Sequence, residues 1–414
     1  MNTSSSSRER GHRVLAAVRW PLGGIRTYIL YNYPALIEAG YRFTFIGPEG
    51  PDLRKLRDEA GSWQGAEFIQ VPVSGEKCNF RPAVRDLLAQ GRFAVIHSHG
   101  LKAAVQVVMA NAGHGVPHVV TSHGMVRPEI DFPGLLGKVR RMVVGRVLGR
   151  ADALVAVSND AYQNHLEAFP RLRSSRCELI AIPNGIDVSR FVTPHQDDRC
   201  QLRRKLDLDD RAFLIGFLGR FEEEKGFTYL VDAIAQLASQ PLPRDFHLLA
   251  VGRGECPRRY QAKLAALPHA ARRITFVDHV SRVATILPDF DLVVVPSVSE
   301  ASPLVPMEAM CAGTPVLGTD CPGLREALRG TPSVMVSARD SAALAAAIRK
   351  AMTCPWTDKA REYAPVARER FDVRKSAGAL LGLFDELSVG RSSRHVCQRT
   401  SSQGTLGGEG RAGP

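Results

Sequence analysis

Residues able to bind phosphates and hydroxyls gather in four parts of this sequence. In LIGFLGRFEEEKGFTYLVDAI, Arg220 and Lys225 follow an apolar run and flank a loop. Two cations at the carboxyl end of a strand suit a departing diphosphate, the guanidinium as a fork and the ammonium as a point charge. The plainer alternative is a solvated loop neutralised by Glu222, Glu223 and Glu224. Further on, DLVVVPSVSEASPLVPMEAMCAGTPVLGTDCPGLREAL runs from a buried strand through a loop into a short helix. Pro306 suits the first helical turn, Gly313 a C-cap and Pro315 a stop beyond it. Glu300 falls on the loop and Glu308 on the helix. The backbone N–H groups of Leu304 and Val305 lie between them, at a helix N-terminus where an anion can be held. A carboxylate buried beside sugar or ribose hydroxyls discriminates strongly, because it is left unpaired without them. As an isolated pair, two such glutamates mean little.

The other two groups lie in the first half. Gly23 and Gly24, in RWPLGGIRTYILYNYPAL, precede a helix starting near Ile25. Glycines let a phosphate approach the backbone, and the helix N-terminus adds free N–H groups; a tight strand-to-helix turn would look the same. His97, His99 and His123, in VIHSHG and VVTSHG, lie at or just past two strand ends. No acid or cysteine accompanies them at metal-ligand spacing, so a polar contact to a hydroxylated ligand is the better reading, above all for His123. Asp289 and Asp291 in PDFDL form a DxD pattern, but it precedes a buried strand, at the wrong end for a cleft.

Positioning these residues requires strands that end where they begin. Apolar, β-branched runs occur at Arg13–Val18, Tyr41–Ile46, Ala94–His97, His118–Thr121, Ala153–Val157 and Leu179–Ile182. A second series comprises Phe213–Phe217, His247–Val251, Ile274–Val277, Leu292–Val295 and Pro315–Leu317. Continuous apolar runs separated by helical crossovers imply parallel sheets buried on both faces. Two series imply an α/β chain of two doubly wound domains, broken within 188–210 and facing each other across a cleft.

The bulk properties agree with two substantial cores: 414 residues, 44% apolar and 23% charged. No run is long enough for a transmembrane helix, and Val14 to Val18 is short for a signal-peptide core. The eight cysteines form no Cys-x-x-Cys pair, which suggests a reducing cytoplasm. The formal charge is +12, much of it in the two tails. No nucleic-acid module is recognisable, so that partner is not expected. LLGKVRRMVVGRVLGR (135–150) carries five basic residues and no acid. It suits reversible contact with an anionic inner membrane face or, alternatively, a packed helix with solvated ends.

Taken in order, these motifs resemble glycosyltransferase family 4, a retaining family of the GT-B fold with an E-x7-E signature. Glu300 to Glu308 matches that signature. The glycine pair, HxHG, SHG, VSN (157–159), IPNGID (182–187), GRFEEEKG, VGRGE and TDCPGLRE follow the family's order over roughly residues 13–388. The resemblance implies sugar transfer from a nucleotide-diphosphate donor to a glycan or glycolipid acceptor, with retention of configuration; no cofactor is expected, and no metal, because Arg220, Lys225, the Gly23–Gly24 loop and a helix N-terminus already supply the positive potential a metal would give. A role in cell-surface polysaccharide or lipopolysaccharide synthesis is expected. Gly24, with Gly23, would sit under the donor phosphate, His123 would touch the transferred sugar, and Arg220 and Lys225 would hold the diphosphate. Glu300 would bind the sugar and Glu308 the ribose, with Leu304 and Val305 giving backbone contacts. Ser302 and Pro303 stand where the family often has Gly and Phe, and Asp278 where it often has Gly, which bears on the sugar and nucleobase pockets. The implied organisation is a disordered 1–10, an acceptor domain over 11–190, a donor domain over 191–372, a helix at 373–388 returning to the first domain, and a disordered 389–414. A sugar epimerase, a phosphorylase or a non-catalytic nucleotide-sugar binder are the alternatives.

Overall fold

The computed structural model of the protein describes residues 12–74, 77–191, 201–209, 211–253, 256–278, 280 and 282–401; the segments 1–10 and 402–414 lie outside them. Two parallel sheets organise the chain. The first contains β1 (Arg13–Val18), β2 (Arg42–Pro48), β3 (Glu67–Val71), β6 (Val95–His99), β7 (His118–Ser122), β8 (Ala153–Ala156) and β9 (Glu178–Ala181), in the order β3-β2-β1-β6-β7-β8-β9. Between β3 and β6 a short antiparallel pair, β4 (Val73–Ser74) and β5 (Lys77–Cys78), stands apart from the sheet. The second sheet contains β10 (Phe213–Leu218), β11 (Phe246–Val251), β12 (Ile274–Val277), β13 (Leu292–Val295), β14 (Val316–Thr319) and β15 (Val334–Val336), in the order β12-β11-β10-β13-β14-β15. The fold is GT-B: two Rossmann-like domains, as the alternation of apolar runs implied.

The inner strands β6, β8, β10 and β13 are buried along their whole length. Separate apolar cores lie on the two faces of each sheet. In both sheets the strand order reverses at one point, between β1 and β6 and between β10 and β13. In doubly wound sheets ligands bind outside the carboxyl ends of the strands at such a switch point. Gly23 opens the helix after β1, His99 ends β6, and the loops leaving β10 and β13 carry Arg220 and Glu300.

The chain crosses between the domains twice. The outward crossing is fixed at Ile186, which pairs in parallel with Asp372 on the return. Helix α6 (Val373–Ser401) then packs along α1 (Gly23–Glu38), burying Leu380, Leu383 and Phe384 in the first domain's core, with Ala377 buried as well. Tyr41 donates to Asp385 at 2.7 Å and Ser376 to Asn32 at 2.7 Å, fastening this return. The helix starts where expected but continues beyond 388, so the segment expected to lack order is helical as far as Ser401.

Candidate active site

Six helices frame the two switch points. Besides α1 and α6 they are α2 (Gly134–Leu148), α3 (Asn159–Ala168), α4 (Leu304–Cys311) and α5 (Leu324–Leu328), of which α3 to α5 carry the contacts between the domains. On the first domain, β1 ends in a turn that places Gly23 at φ +55, the left-handed region that favours glycine. A methyl group at Gly23 would lie 3.9 Å from Nε of Arg220, so the glycine turn and the cationic loop face each other across the cleft. A side chain at Gly24 would meet nothing within 4 Å, leaving the backbone open to a ligand.

The second domain brings its charged residues together in pairs. Lys225 donates from Nζ to both oxygens of Glu300, at 2.7 and 2.8 Å, and Ser297 Oγ donates to Oε1 at 2.8 Å. Glu300 is 9% exposed and Lys225 24%. Gly226 makes this approach possible: its φ is +64, and a Cβ there would lie 1.9 Å from the carbonyl oxygen of Pro296. Arg220 is half exposed and pairs with Glu222. Of the three glutamates read as counter-charges to the two cations, Glu222 serves Arg220, whereas Glu224 pairs with Arg127 of the first domain.

Helix α4 begins at Leu304 behind Pro303, and no side chain caps it. The first N–H groups of a helix have no intrahelical acceptor, so Leu304 and Val305 offer theirs at the cleft. Glu308, one turn further on, is buried. Burial pushes its carboxyl up to about 7 against the pull of Arg190 and of a hydrogen bond with Tyr31 of α1. Arg190 stacks over the Tyr31 ring at 5.1 Å and pairs with Asp187 at 2.9 Å.

The histidines form one hydrogen-bonded chain with residues that the sequence did not single out. Thr121 Oγ1 is 2.7 Å from His97 Nε2, and His97 Nδ1 is 2.8 Å from Tyr33 Oη. The same hydroxyl is 2.8 Å from His99 Nε2, and His99 Nδ1 is 2.9 Å from His123 Nε2. His97 and His99 are fully buried and His123 partly so. Burial holds His97 and His99 well below the usual histidine range and takes His123 down to about 3, so all three rings are neutral. His97, expected at the cleft, is a core residue instead, with its ring against Phe384. The available signal was three tyrosines, 28, 31 and 33, on the helix that follows the glycine pair.

Other residues take structural places. Asp291 accepts Arg203 Nη2 at 2.6 Å and Leu214 N at 2.8 Å, and Asp289 accepts Leu202 N at 3.3 Å. Both carboxyls are thus tied to chain at the entry of β13, away from the strand's carboxyl end. Ser302 lies at the domain crossing, its carbonyl accepting Asn184 Nδ2 at 3.2 Å. A cavity of about 370 Å³ opens there between Ser158, Asn184, Ser302, Glu326 and Asp372.

Two family models match this architecture: a glycosyl transferase 4-like domain over residues 23–185 and glycosyl transferases group 1 over 212–354. A D-inositol 3-phosphate glycosyltransferase of Geodermatophilus obscurus is 34% identical over 358 residues, 79% of this chain and 77% of that protein. The chain is a family 4 glycosyltransferase. A phosphatidyl-myo-inositol mannosyltransferase of Mycolicibacterium smegmatis is 29% identical over 79% of this chain and 80% of its own length. Among solved structures, Anabaena HepE in complex with UDP and glucose superposes with a TM-score of 0.76 at 19% identity, covering 91% of this chain and all of that one. That likeness concerns the GT-B fold.

Proposed function

We propose that this glycosyltransferase moves a sugar from a nucleotide-diphosphate donor to a hydroxyl of a glycan or glycolipid acceptor, with retention and without a divalent metal, in cell-surface synthesis. The observation that carries this reading is convergence: the open glycine turn, Arg220, the Lys225–Glu300 pair and the uncapped start of α4 meet at two facing switch points. Arg220, Lys225 and the helix N-terminus supply positive potential for the departing diphosphate. Glu308, beside Tyr31 and one turn into α4, accepts ribose hydroxyls in this reading once ionised. Glu300, held on both oxygens by Lys225, serves better as a hydroxyl ligand than as a nucleophile. The acceptor then attacks the face that the diphosphate leaves. The bond from the anomeric carbon to the phosphate oxygen breaks, the bond to the acceptor oxygen forms, and that phosphate oxygen takes the acceptor's proton. Proton NMR of the first-formed product tests this: a retained anomer is expected, and an inverted linkage would refute front-face attack. Rates should be unchanged in excess EDTA; loss in chelator with recovery in magnesium or manganese would refute metal independence. Epimer formation, or binding without turnover, would favour the alternative activities.

A cytoplasmic enzyme that touches the inner membrane face reversibly is the second part of the proposal. No helix among the described residues is long and apolar enough to cross a membrane. On α2, however, Leu135 is 78% and Leu136 86% exposed, and Val139, Met142 and Val143 are also exposed among Lys138, Arg140, Arg141 and Arg146. Apolar side chains turned outward among cations suit an anionic bilayer surface, each nearby cation contributing about 1 kcal/mol. Flotation with phosphatidylserine-rich vesicles should retain the protein, and Leu135→Ser with Leu136→Ser should release it. Equal flotation with neutral vesicles would refute an electrostatic contact.

A further inference from the structure

The histidine chain has a direction, and its direction decides what His123 offers a substrate. A neutral imidazole has one N–H and one bare nitrogen, and a hydroxyl has one proton. Along Thr121, His97, Tyr33, His99 and His123 each link therefore holds one proton, and the links must all point the same way. In one sense His123 receives a proton from His99 at Nε2 and carries its own on Nδ1. In the other it donates from Nε2 and leaves Nδ1 bare.

The far end breaks the tie. Tyr28 is fully buried, and its hydroxyl lies beside Thr121 in a contact that falls short of a full hydrogen bond. If the chain runs toward His123, Thr121 gives its proton to His97 and accepts from Tyr28, so every buried proton has a destination. If it runs the other way, Thr121 accepts from His97 and turns its own proton toward Tyr28, whose phenolic proton then has no acceptor among the described residues. A buried donor without a partner costs about 1–3 kcal/mol, whereas an oxygen with one unfilled lone pair costs far less. The Tyr28 ring also packs edge-on against His123, with centroids 4.8 Å apart and planes at 75°, which holds the imidazole in place.

We infer that Tyr28, Thr121, His97, Tyr33 and His99 are positioning residues that fix His123 as a hydrogen-bond donor through Nδ1. The ligand class is a sugar hydroxyl or ring oxygen acting as acceptor. This rests on the reading that His123 touches the transferred sugar. In this role His123 steadies the sugar and takes no proton from the acceptor. The chain also explains why two buried phenols stand on α1: Tyr28 starts it as a donor, and Tyr33 is a link that both gives and receives.

Two-bond proton–nitrogen NMR on the full-length, histidine-labelled protein tests the chain directly, with signals assigned by single histidine replacements. All three rings should be protonated at Nδ1 and none at Nε2. Any of them protonated at Nε2, or as an imidazolium near neutral pH, would overturn the inference. Tyr28→Phe keeps the ring packing and removes the tie-breaking proton, so His97, His99 and His123 should become mixtures of tautomers; unchanged tautomers would remove Tyr28 from the chain. Tyr33→Phe cuts the chain and should lower kcat about tenfold with donor KM within about twofold. An unaltered kcat would refute the positioning role, and should that variant not fold, Tyr28→Phe carries the same comparison. Nδ1-protonated rings in a protein that transfers no sugar would refute the transferase reading while upholding the chain.

Discussion

The two walls of the cleft solve the same problem by opposite means. The first domain presents a neutral group, His123, backed by the buried imidazoles of His97 and His99 and the Tyr28 and Tyr33 phenols, whose hydrogen bonds are nearly all made among themselves. The second presents ions, and each is held by another: Lys225 by Glu300, Arg220 by Glu222. A neutral wall can be buried at little cost provided every donor has an acceptor. A charged wall can be half-buried only if its charges cancel, and removing one member exposes the cost of the other. Substitutions on the first wall should therefore alter orientation, and those on the second should alter charge balance.

The largest effects belong to the charged wall, where its two cations should part company. Arg220→Ala should slow transfer by about 10²–10³-fold, as loss of a group stabilising transition-state charge does. It should leave stability within about 1 kcal/mol, because its pairing with Glu222 is at the surface. Lys225→Ala should slow transfer as much and also destabilise the fold by about 2 kcal/mol. That is less than for a fully buried pair, because Lys225 is partly in water, yet Glu300 is left with Ser297 alone. Adding Glu300→Gln should return the stability and not the rate. Initial rates and urea denaturation read both quantities. Equal stability losses for the two alanine variants would remove the distinction between an exposed and a held cation.

Glu308 sharpens the contrast through pH. Its carboxyl is raised from the usual 4.5 to about 7 by burial. The folded protein therefore binds a proton that the unfolded chain releases. Protonated Glu308 contributes stability that is fully present below about pH 4.5 and is lost as pH rises to about 7, in total on the order of 3 kcal/mol. Glu308→Gln should match the wild type at acid pH and become relatively more stable through this window. Nucleotide affinity should move oppositely if ribose hydroxyls need the carboxylate, tightening as pH passes 7. Parallel stability curves for the two proteins between pH 4.5 and 8 would sink the argument.

The sequence showed the frame of this site better than its wiring. Strands buried on both faces announce themselves as unbroken apolar runs, and the inner strands, with the loops they feed, were legible for that reason. The strands Glu67–Val71 and Val334–Val336 were not, because both are edges with mixed exposure and carry no such run. Arg220, Lys225, Glu300 and Glu308 could be named from type and spacing after strands. Their pairings could not, since Lys225 reaches Glu300 only through the close pass of Gly226 under Pro296. His97 shows the limit most clearly. Its position at a strand end suggested the cleft, but the return of α6 places Phe384 against its ring, and that contact spans most of the chain.

The smallest expected effect concerns what keeps the walls facing. Asp160, at the start of α3 in the first domain, accepts Arg325 Nη2 at 2.8 Å and Nε at 3.0 Å, and Gly323 N at 2.8 Å. Glu326 of α5 returns the favour, accepting the backbone N–H groups of Asn159 at 3.0 Å and Asp160 at 2.8 Å, which are first-turn donors of α3. VSN and TDCPGLRE, family motifs given no chemistry by their sequence alone, thus meet as a reciprocal clasp between the domains. Arg325 is 44% exposed, so Arg325→Ala should cost no more than about 1 kcal/mol. Glu326→Ala takes the acceptor from two first-turn N–H groups of α3, while Ser158 still caps the helix through Ala161 N at 3.0 Å, and should cost about 0.5–2 kcal/mol. Neither touches the reacting groups, so kcat should hold while donor KM rises about two- to fivefold, because part of the binding energy must now close the cleft. Solution scattering gives an independent measure: without nucleotide the double variant should have a larger radius of gyration than the wild type, and with saturating donor the two should coincide. An unchanged radius together with an unchanged KM would show that the crossing at Ile186 and the packing of α6 hold the walls without the clasp.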